Sequence, residues 1–159
     1  MKCLEKQNID YLAVAYTSEA IQLRENAIKV PILVLHPQIG DFNDIFQYNL
    51  EPNIYSFKIL NEFINYKSIN QNQPIHVKFN TGLNRLGFKC SDINNLCDVI
   101  KSNNINVKYI FSHLGASEDL SEIQFTESQI NLFKKIYEDI EKKLNRRIDK
   151  HLLNTSGIL

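Results

Sequence analysis

Residues 75–88 read IHVKFNTGLNRLGF and hold the most informative pattern in the chain. Apolar and polar residues alternate from position 75 to position 80, which predicts a strand with one apolar and one polar face. A Thr-Gly pair ends the strand, and the loop that follows contains Arg85 and a second glycine. Glycines let the backbone and a cation approach a ligand beyond the carboxyl end of a strand. Lys78 and Arg85 therefore suggest an anionic ligand, although the same stretch alone also fits a strand and turn whose cations pair with carboxylates elsewhere.

Composition restricts the class of protein. The chain has 159 residues, 43% of them hydrophobic and 23% charged, which is typical of one soluble globular domain. The formal net charge is +0, so we expect neither nucleic acid nor a membrane surface as a partner. No apolar run approaches the roughly 20 residues of a bilayer span, and the N-terminal residues do not resemble a signal peptide, so we expect a cytoplasmic protein.

Cysteines and histidines give no sign of a metal site. Cys3, Cys90 and Cys97 are odd in number and form no Cys-x-x-Cys pair, which fits reduced thiols. The four histidines are scattered along the sequence, so we expect no dedicated metal site.

Strand and helix patterns alternate along the whole chain. Strands are predicted at residues 11–15, 31–35, 53–56, 75–80, 107–112 and 148–153. Helices are predicted at residues 18–26, 41–47 and 57–70. A fourth helix is predicted after an N-cap at Ser91, and its inward residues are Ile93, Leu96, Cys97 and Ile100. A fifth helix is predicted from a Thr126–Gln129 capping box to Leu144, and the residues on its apolar side are Ile130, Phe133, Ile136, Tyr137, Ile140 and Leu144.

This alternation, at a spacing of about 25–30 residues, predicts an α/β fold with parallel strands. A closed barrel of the TIM type needs eight βα units and typically about 250 residues, whereas the chain holds about six units. We therefore expect residues 1–159 to form an incomplete parallel (β/α) barrel.

Polar residues follow three of the predicted strands. Lys78 and Arg85 lie at one exit, His113 at the next, and Asn154, Thr155 and Ser156 at the last, where residues 154–157 are expected to form a loop. In a barrel the chemistry lies at the carboxyl ends of the strands, and these groups would suit a phosphorylated ring cofactor. Taken singly, His113 also fits a histidine near the edge of the core, and residues 154–157 also fit an ordinary turn.

The order of these motifs resembles that of the alanine racemase family. The family's Lys-x-[Asp/Asn]-Thr-Gly-x-x-Arg-x-Gly run is matched at residues 78–87, the early barrel at residues 11–24 and 31–35, and two later blocks at residues 111–117 and 154–158. The resemblance covers essentially the whole chain. Asn80 is a mild departure, since Asp is also common at that position, and Thr155 replaces the more usual Ser but keeps the hydroxyl.

The resemblance implies pyridoxal 5'-phosphate as cofactor and a role for each matched residue. Lys78 would be the lysine that is often carbamylated and then supports the arginine, and Arg85 would donate to the phenolic oxygen of the cofactor. His113 would lie beside the ring and help hold a further arginine that faces the pyridine nitrogen. Asn154 would line the site, and Thr155 would donate its hydroxyl to the phosphate.

The resemblance further implies an isomerase that interconverts L-alanine and D-alanine for cell-wall precursors, as a homodimer at full length. The family's Schiff-base lysine lies in a Lys-x-x-x-Tyr-Gly run on the first strand, and its catalytic tyrosine lies in a C-terminal β domain of the partner subunit. The lysine run does not occur in residues 1–159, and we expect the strand with the pyridine-facing arginine and the β domain with the tyrosine to follow Leu159. We therefore expect no catalytic residue in this chain, only the supporting Lys78, Arg85 and His113, and no activity from the chain alone.

Two other interpretations stay open. The chain could belong to another pyridoxal-phosphate barrel enzyme, such as a serine racemase or an amino-acid decarboxylase. It could also be a non-catalytic or degenerate barrel fragment. The intact Lys78, Arg85 and His113 speak against degeneration.

Overall fold

The computed structural model describes residues 7–66 and 72–158, in which strands and helices alternate as the sequence predicts. The elements are β1 (Leu12–Val14), α1 (Thr17–Glu25), β2 (Ile32–Val34), α2 (Phe42–Gln47), β3 (Glu51–Ile54), α3 (Phe57–Tyr66), β4 (Ile75–Lys78), α4 (Ile93–Ser102), β5 (Val107–Phe111), α5 (Ile123–Leu144), β6 (Asp149–His151) and α6 (Thr155–Ile158). The predicted helical residues 67–70 lie outside the described ones. Contacts divide the chain into two compact units, residues 1–76 and 77–159.

In the first unit, β1, β2 and β3 pair in parallel in chain order. All residues of β2 and β3 are buried, as expected for parallel strands covered on both faces. Helices α2 and α3 pack through aromatic side chains: the Phe63 ring centroid lies 5.5 Å from that of Phe46 and 6.2 Å from that of Phe42.

The third strand differs from the prediction, which placed it at residues 53–56. The strand runs from Glu51 to Ile54, because Glu51 and the following proline pair with β2. The Glu51 side chain is buried, and its Oε2 lies 2.8 Å from both Tyr11 Oη and His76 Nε2. Because a carboxylate within a strand does not match the apolar pattern of a buried strand, the predicted strand began two residues after the observed one.

In the second unit, β5 pairs with β6 in parallel, from Tyr109 opposite Asp149 to Phe111 opposite His151. The residue after β4 joins this arrangement, since Phe79 N donates to Phe111 O at 2.8 Å. Strand β6 is shorter than the predicted 148–153. Residues 154–157, predicted as a loop, mostly belong to α6 instead.

Helix α4 buries the four predicted residues, Ile93, Leu96, Cys97 and Ile100. The predicted apolar face of α5 is wrong at Ile130, which is 41% exposed, while Gln129 is 0% exposed. The inward side of α5 consists of Gln129, Phe133, Ile136 and Ile140.

The predicted N-terminal caps of α4 and α5 are both wrong. A 3₁₀ turn, Cys90–Asp92, precedes α4, and the carboxylate of Asp92 accepts from Lys89 N at 2.8 Å, so Ser91 is not the cap. Helix α5 begins one turn before Thr126, after a 3₁₀ turn in which Asp119 accepts from Ser121 N at 2.9 Å. In both places an acidic side chain, rather than the predicted hydroxyl, accepts a backbone N–H at the 3₁₀ turn before the helix.

Cys90 and Cys97 are free thiols, and Cys3 lies outside the described residues. None of the helices in the described part of the chain has the length and apolar character needed to cross a membrane.

Candidate functional site

The loop after β4 is closed by one side chain, that of Asn80. Its Oδ1 accepts from the backbone N–H groups of Gly82 and Asn84, both at 3.0 Å, and its Nδ2 donates to Asn84 Oδ1 at 2.9 Å. Asn side chains commonly close turns in this way and tolerate a left-handed backbone, which Asn84 adopts at φ 55°. The closed loop presents Arg85, which is exposed.

The chain returns onto β4 through Gly87. Phe88 N donates to Lys78 O and Asn80 N donates to Phe88 O, each at 2.9 Å. A Cβ atom on residue 87 would lie 2.6 Å from the Asn80 nitrogen and from the Phe79 carbonyl carbon, and φ is +129°. Only glycine allows this close approach at this backbone angle.

Lys78 is buried, although it carries an amine. Its Nζ lies 5.6 Å from the centroid of the Phe111 ring, within the range of a cation–π contact. Burial lowers the pKa of Lys78, and the nearby Arg85 guanidinium lowers it further. Within residues 7–66 and 72–158, no carboxylate lies within 4.0 Å of this amine. The neutral form of Lys78 is therefore favoured relative to an exposed lysine.

His113 follows β5 and is partly buried. Burial lowers its pKa, and the positive charges of Lys78 and Arg85 lower it further. The structure thus brings together three of the predicted site residues, Lys78, Arg85 and His113, closely enough for each cation to act on the imidazole. Such a cluster of positive charge favours an anion.

Asn154 ties the exit of β6 to that of β5. Its Oδ1 accepts from Ser117 Oγ at 2.7 Å and from Gly157 N at 2.9 Å, and its Nδ2 donates to Leu114 O at 3.4 Å. Asn154 therefore lies next to the segment that carries His113. Thr155 is exposed at the first position of α6, and no hydrogen bond in the described part of the chain joins it to the other predicted site residues.

One residue at the site was missed from the sequence. Gln129 of α5 is fully buried and hydrogen-bonds to Thr81, to the backbone of His113 and to Gly115. The signal was present: position 129 lies one turn before Phe133 on the inward side of the helix, where a polar residue needs a buried partner.

The sequence matches the family model described as "Alanine racemase, N-terminal domain" over residues 1–159. It is 35% identical to the alanine racemase of Thermodesulfovibrio yellowstonii over 156 residues, which are 94% of this chain and 40% of that protein. It is 41% identical to the alanine racemase of Rickettsia bellii over 142 residues, which are 84% of this chain and 33% of that protein. The chain thus spans well under half the length of these curated relatives.

Solved structures agree with the sequence comparison. The alanine racemase of Clostridium difficile 630 superposes with a TM-score of 0.89 at 30% identity, over 99% of this chain and 44% of that one. The alanine racemase of Acinetobacter baumannii has a TM-score of 0.83 at 22% identity, over 96% of this chain and 42% of that one, which supports the fold alone. The predicted resemblance and the predicted incomplete parallel (β/α) barrel are both confirmed.

Proposed function

The chain belongs to the alanine racemase family, through its N-terminal domain, and from this we propose that it is part of a pyridoxal 5'-phosphate-dependent racemase that interconverts L-alanine and D-alanine. The observation that carries the proposal is the cluster of Lys78, Arg85 and His113 at the exits of β4 and β5. D-alanine for cell-wall precursors and a homodimeric full-length protein are part of the same proposal.

The residues present fit this cofactor, which carries an anionic phosphate and a phenolic oxygen. When bound, pyridoxal phosphate acts as an electron sink that acidifies the Cα–H of an amino acid. The exposed guanidinium of Arg85 is free to donate to the phenolic oxygen, and the Thr155 hydroxyl to donate to the phosphate. Asn154 lines the same exits. A charge-assisted hydrogen bond from Arg85 is worth about 1.5–3 kcal/mol.

His113 fits a place beside the cofactor ring as a neutral imidazole. Its lowered pKa keeps it uncharged at neutral pH, so it adds a flat ring and one hydrogen bond without a further positive charge. The positive charge of the site then comes from Arg85.

Lys78 is the candidate for carbamylation. Its neutral amine would attack CO₂, so that an N–C bond forms, one proton leaves the nitrogen for solvent, and a carbamate anion results. This chemistry needs an unprotonated amine, which the lowered pKa favours. The anion would then face Arg85 and hold the guanidinium, as a carboxylate does elsewhere. Mass spectrometry of the intact chain with and without bicarbonate, on wild type and Lys78→Arg, tests this step.

Residues 1–159 supply binding groups rather than the pair of groups that exchange protons with the substrate. The Lys-x-x-x-Tyr-Gly run of the family does not occur in this sequence. We therefore expect the 159-residue polypeptide to bind the cofactor weakly and to leave L-alanine unchanged. Conversion of L-alanine to D-alanine by this polypeptide with added cofactor would contradict that expectation.

Cofactor binding is tested by equilibrium dialysis of the 159-residue chain with pyridoxal phosphate. Arg85→Gln should weaken binding about 10- to 100-fold, through the loss of one charge-assisted hydrogen bond. The matched control is Arg147→Gln, which removes another exposed arginine of the second unit. Equal affinities for the two variants would remove Arg85 from the proposed site.

The reaction itself is tested on the product of the whole coding sequence that contains these residues. L-Alanine, L-serine and an amino-acid decarboxylase substrate are each supplied with the cofactor, and the enantiomers and CO₂ are measured. Faster racemisation of alanine supports the proposal, while preferred serine racemisation or decarboxylation assigns the chain to another reaction of this cofactor class.

A further inference from the structure

The beginning of α5 fits against two loops that lack side chains at the contact. A Cβ atom on Gly82, after β4, would lie 3.1 Å from the Phe125 ring and 3.4 Å from Gln129 Cγ. A Cβ atom on Gly115, after β5, would lie 3.3 Å from the same ring. Phe125 and Gln129 are four residues apart and so lie on one face of the helix. Glycine in both loops therefore lets this face of α5 reach the backbone of both strand exits.

Gln129 uses its whole amide group at this contact. Its Nε2 donates to Thr81 Oγ1 at 3.3 Å and to His113 O at 3.2 Å, and its Oε1 accepts from Gly115 N at 2.9 Å. The side chain is 0% exposed. Burying an amide without partners is unfavourable, whereas here both donors and the acceptor are used.

The network continues into the ends of both strands. Thr81 Oγ1 lies 2.8 Å from Ser112 Oγ, and Ser112 Oγ donates to Phe79 O at 2.7 Å. Thr81, Ser112 and Gln129 are all buried. One continuous set of hydrogen bonds thus connects α5, the exit of β4 and the exit of β5.

We propose that Gln129 is a positioning residue, whose carboxamide fixes the backbone that directly follows the His113 side chain and so sets where the imidazole lies relative to Lys78 and Arg85. The two backbone groups that it binds, His113 O and Gly115 N, belong to the two peptide units that follow the His113 side chain. An apolar side chain at position 129 would complete the inward side of α5 as well as Phe133 does, so packing alone gives no reason for an amide. The inference deepens the proposed function, since His113 is placed there beside the cofactor, but its first test needs no cofactor.

The test is NMR on the 159-residue chain, comparing wild type with Gln129→Met and Gln129→Leu. Loss of the bond to Gly115 should speed hydrogen exchange of the Gly115 amide about tenfold. The pKa of His113, followed by its imidazole resonances, should rise towards its ordinary value, because a released loop exposes the ring and moves it away from the two cations. Two apolar variants are used so that a folding failure in one leaves the other.

The matched control is Phe133→Leu, one turn further along the same buried side of α5 and without a role in the network. It should lower stability and leave the His113 pKa unchanged. A folded Gln129 variant with an unchanged His113 pKa would overturn the proposal, and so would an equal rise of that pKa in Phe133→Leu.

A second readout keeps the two proposals apart. If the Gln129 variants raise the His113 pKa and also weaken pyridoxal phosphate binding, His113 is positioned for the cofactor. If they raise the pKa and leave cofactor affinity unchanged, Gln129 still positions His113, but His113 does not contribute to cofactor binding.

Discussion

Gly87→Ala tests whether the loop that carries Arg85 depends on a close backbone approach. The new Cβ would lie 2.6 Å from the Asn80 nitrogen and the Phe79 carbonyl carbon, where ordinary contact begins at 3.4 Å. Both atoms belong to backbone and cannot rotate away, so the loop has to move. The movement breaks the hydrogen bonds from Phe88 N to Lys78 O and from Asn80 N to Phe88 O.

The expected cost has two parts. Two backbone hydrogen bonds contribute about 1 kcal/mol each. Placing an L residue at a φ of +129° costs about 1–2 kcal/mol. We therefore expect the free energy of unfolding to fall by about 3–4 kcal/mol, which for a chain of this length lowers Tm by roughly 6–16 °C.

Gly40→Ala is the matched control, because Gly40 also has a positive φ, +95°, but no atom within 4 Å of the new Cβ. This variant should cost about 1 kcal/mol, the backbone part alone. Urea unfolding of both variants, followed by far-UV circular dichroism, measures the difference. If Gly87→Ala costs no more than Gly40→Ala, the reasoning about the close approach is refuted.

Three further substitutions test buried or titrating groups. Lys78→Met replaces a buried amine whose pKa is lowered, so the free energy of unfolding in urea at pH 7 should rise by about 1 kcal/mol. A fall of that size would mean that the ammonium group stabilises the fold. Because the pKa of His113 is lowered in the folded state, the unfolded state binds more protons, and stability should fall as the pH drops below 6.5. His113→Gln should flatten this part of a curve of Tm against pH, and an unchanged slope would contradict the assignment. Glu51→Ala removes a buried carboxylate that takes part in two hydrogen bonds, and thermal unfolding should show a free energy of unfolding lower by about 3 kcal/mol. The control Asp139→Ala breaks an exposed i,i+4 ion pair and should lower it by less than about 0.5 kcal/mol. Similar losses in the two variants would show that the burial of Glu51 is unimportant.

The fold could be predicted because its signals are periodic. Alternating strand and helix patterns predicted each of the six strands found among the described residues, and helical spacing predicted the buried face of α4 without error. Two of the mistakes, the start of β3 and the inward face of α5, lie where a buried polar residue occupies a position that the pattern assigns to an apolar one. Glu51 in β3 and Gln129 on the inward face of α5 are buried, and both form hydrogen bonds to residues distant in the sequence. A local sequence pattern cannot show such partners.

The charged members of the site were visible in the sequence, whereas none of the three side chains that hold the loops in place was assigned that role. Lys78, Arg85 and His113 stand out by chemistry at strand exits, where function is expected.

The groups that position those exits are carboxamides: Asn80 closes the β4 loop, Gln129 joins the exits of β4 and β5, and Asn154 joins the exits of β5 and β6. A carboxamide donates and accepts at once and carries no charge. A carboxylate at any of these places could accept the same backbone N–H groups, but it would lose the donated bonds and set a negative charge beside the cations. Neutral positioning groups therefore leave the positive charge of Arg85 undiminished, which suits the proposed anionic cofactor.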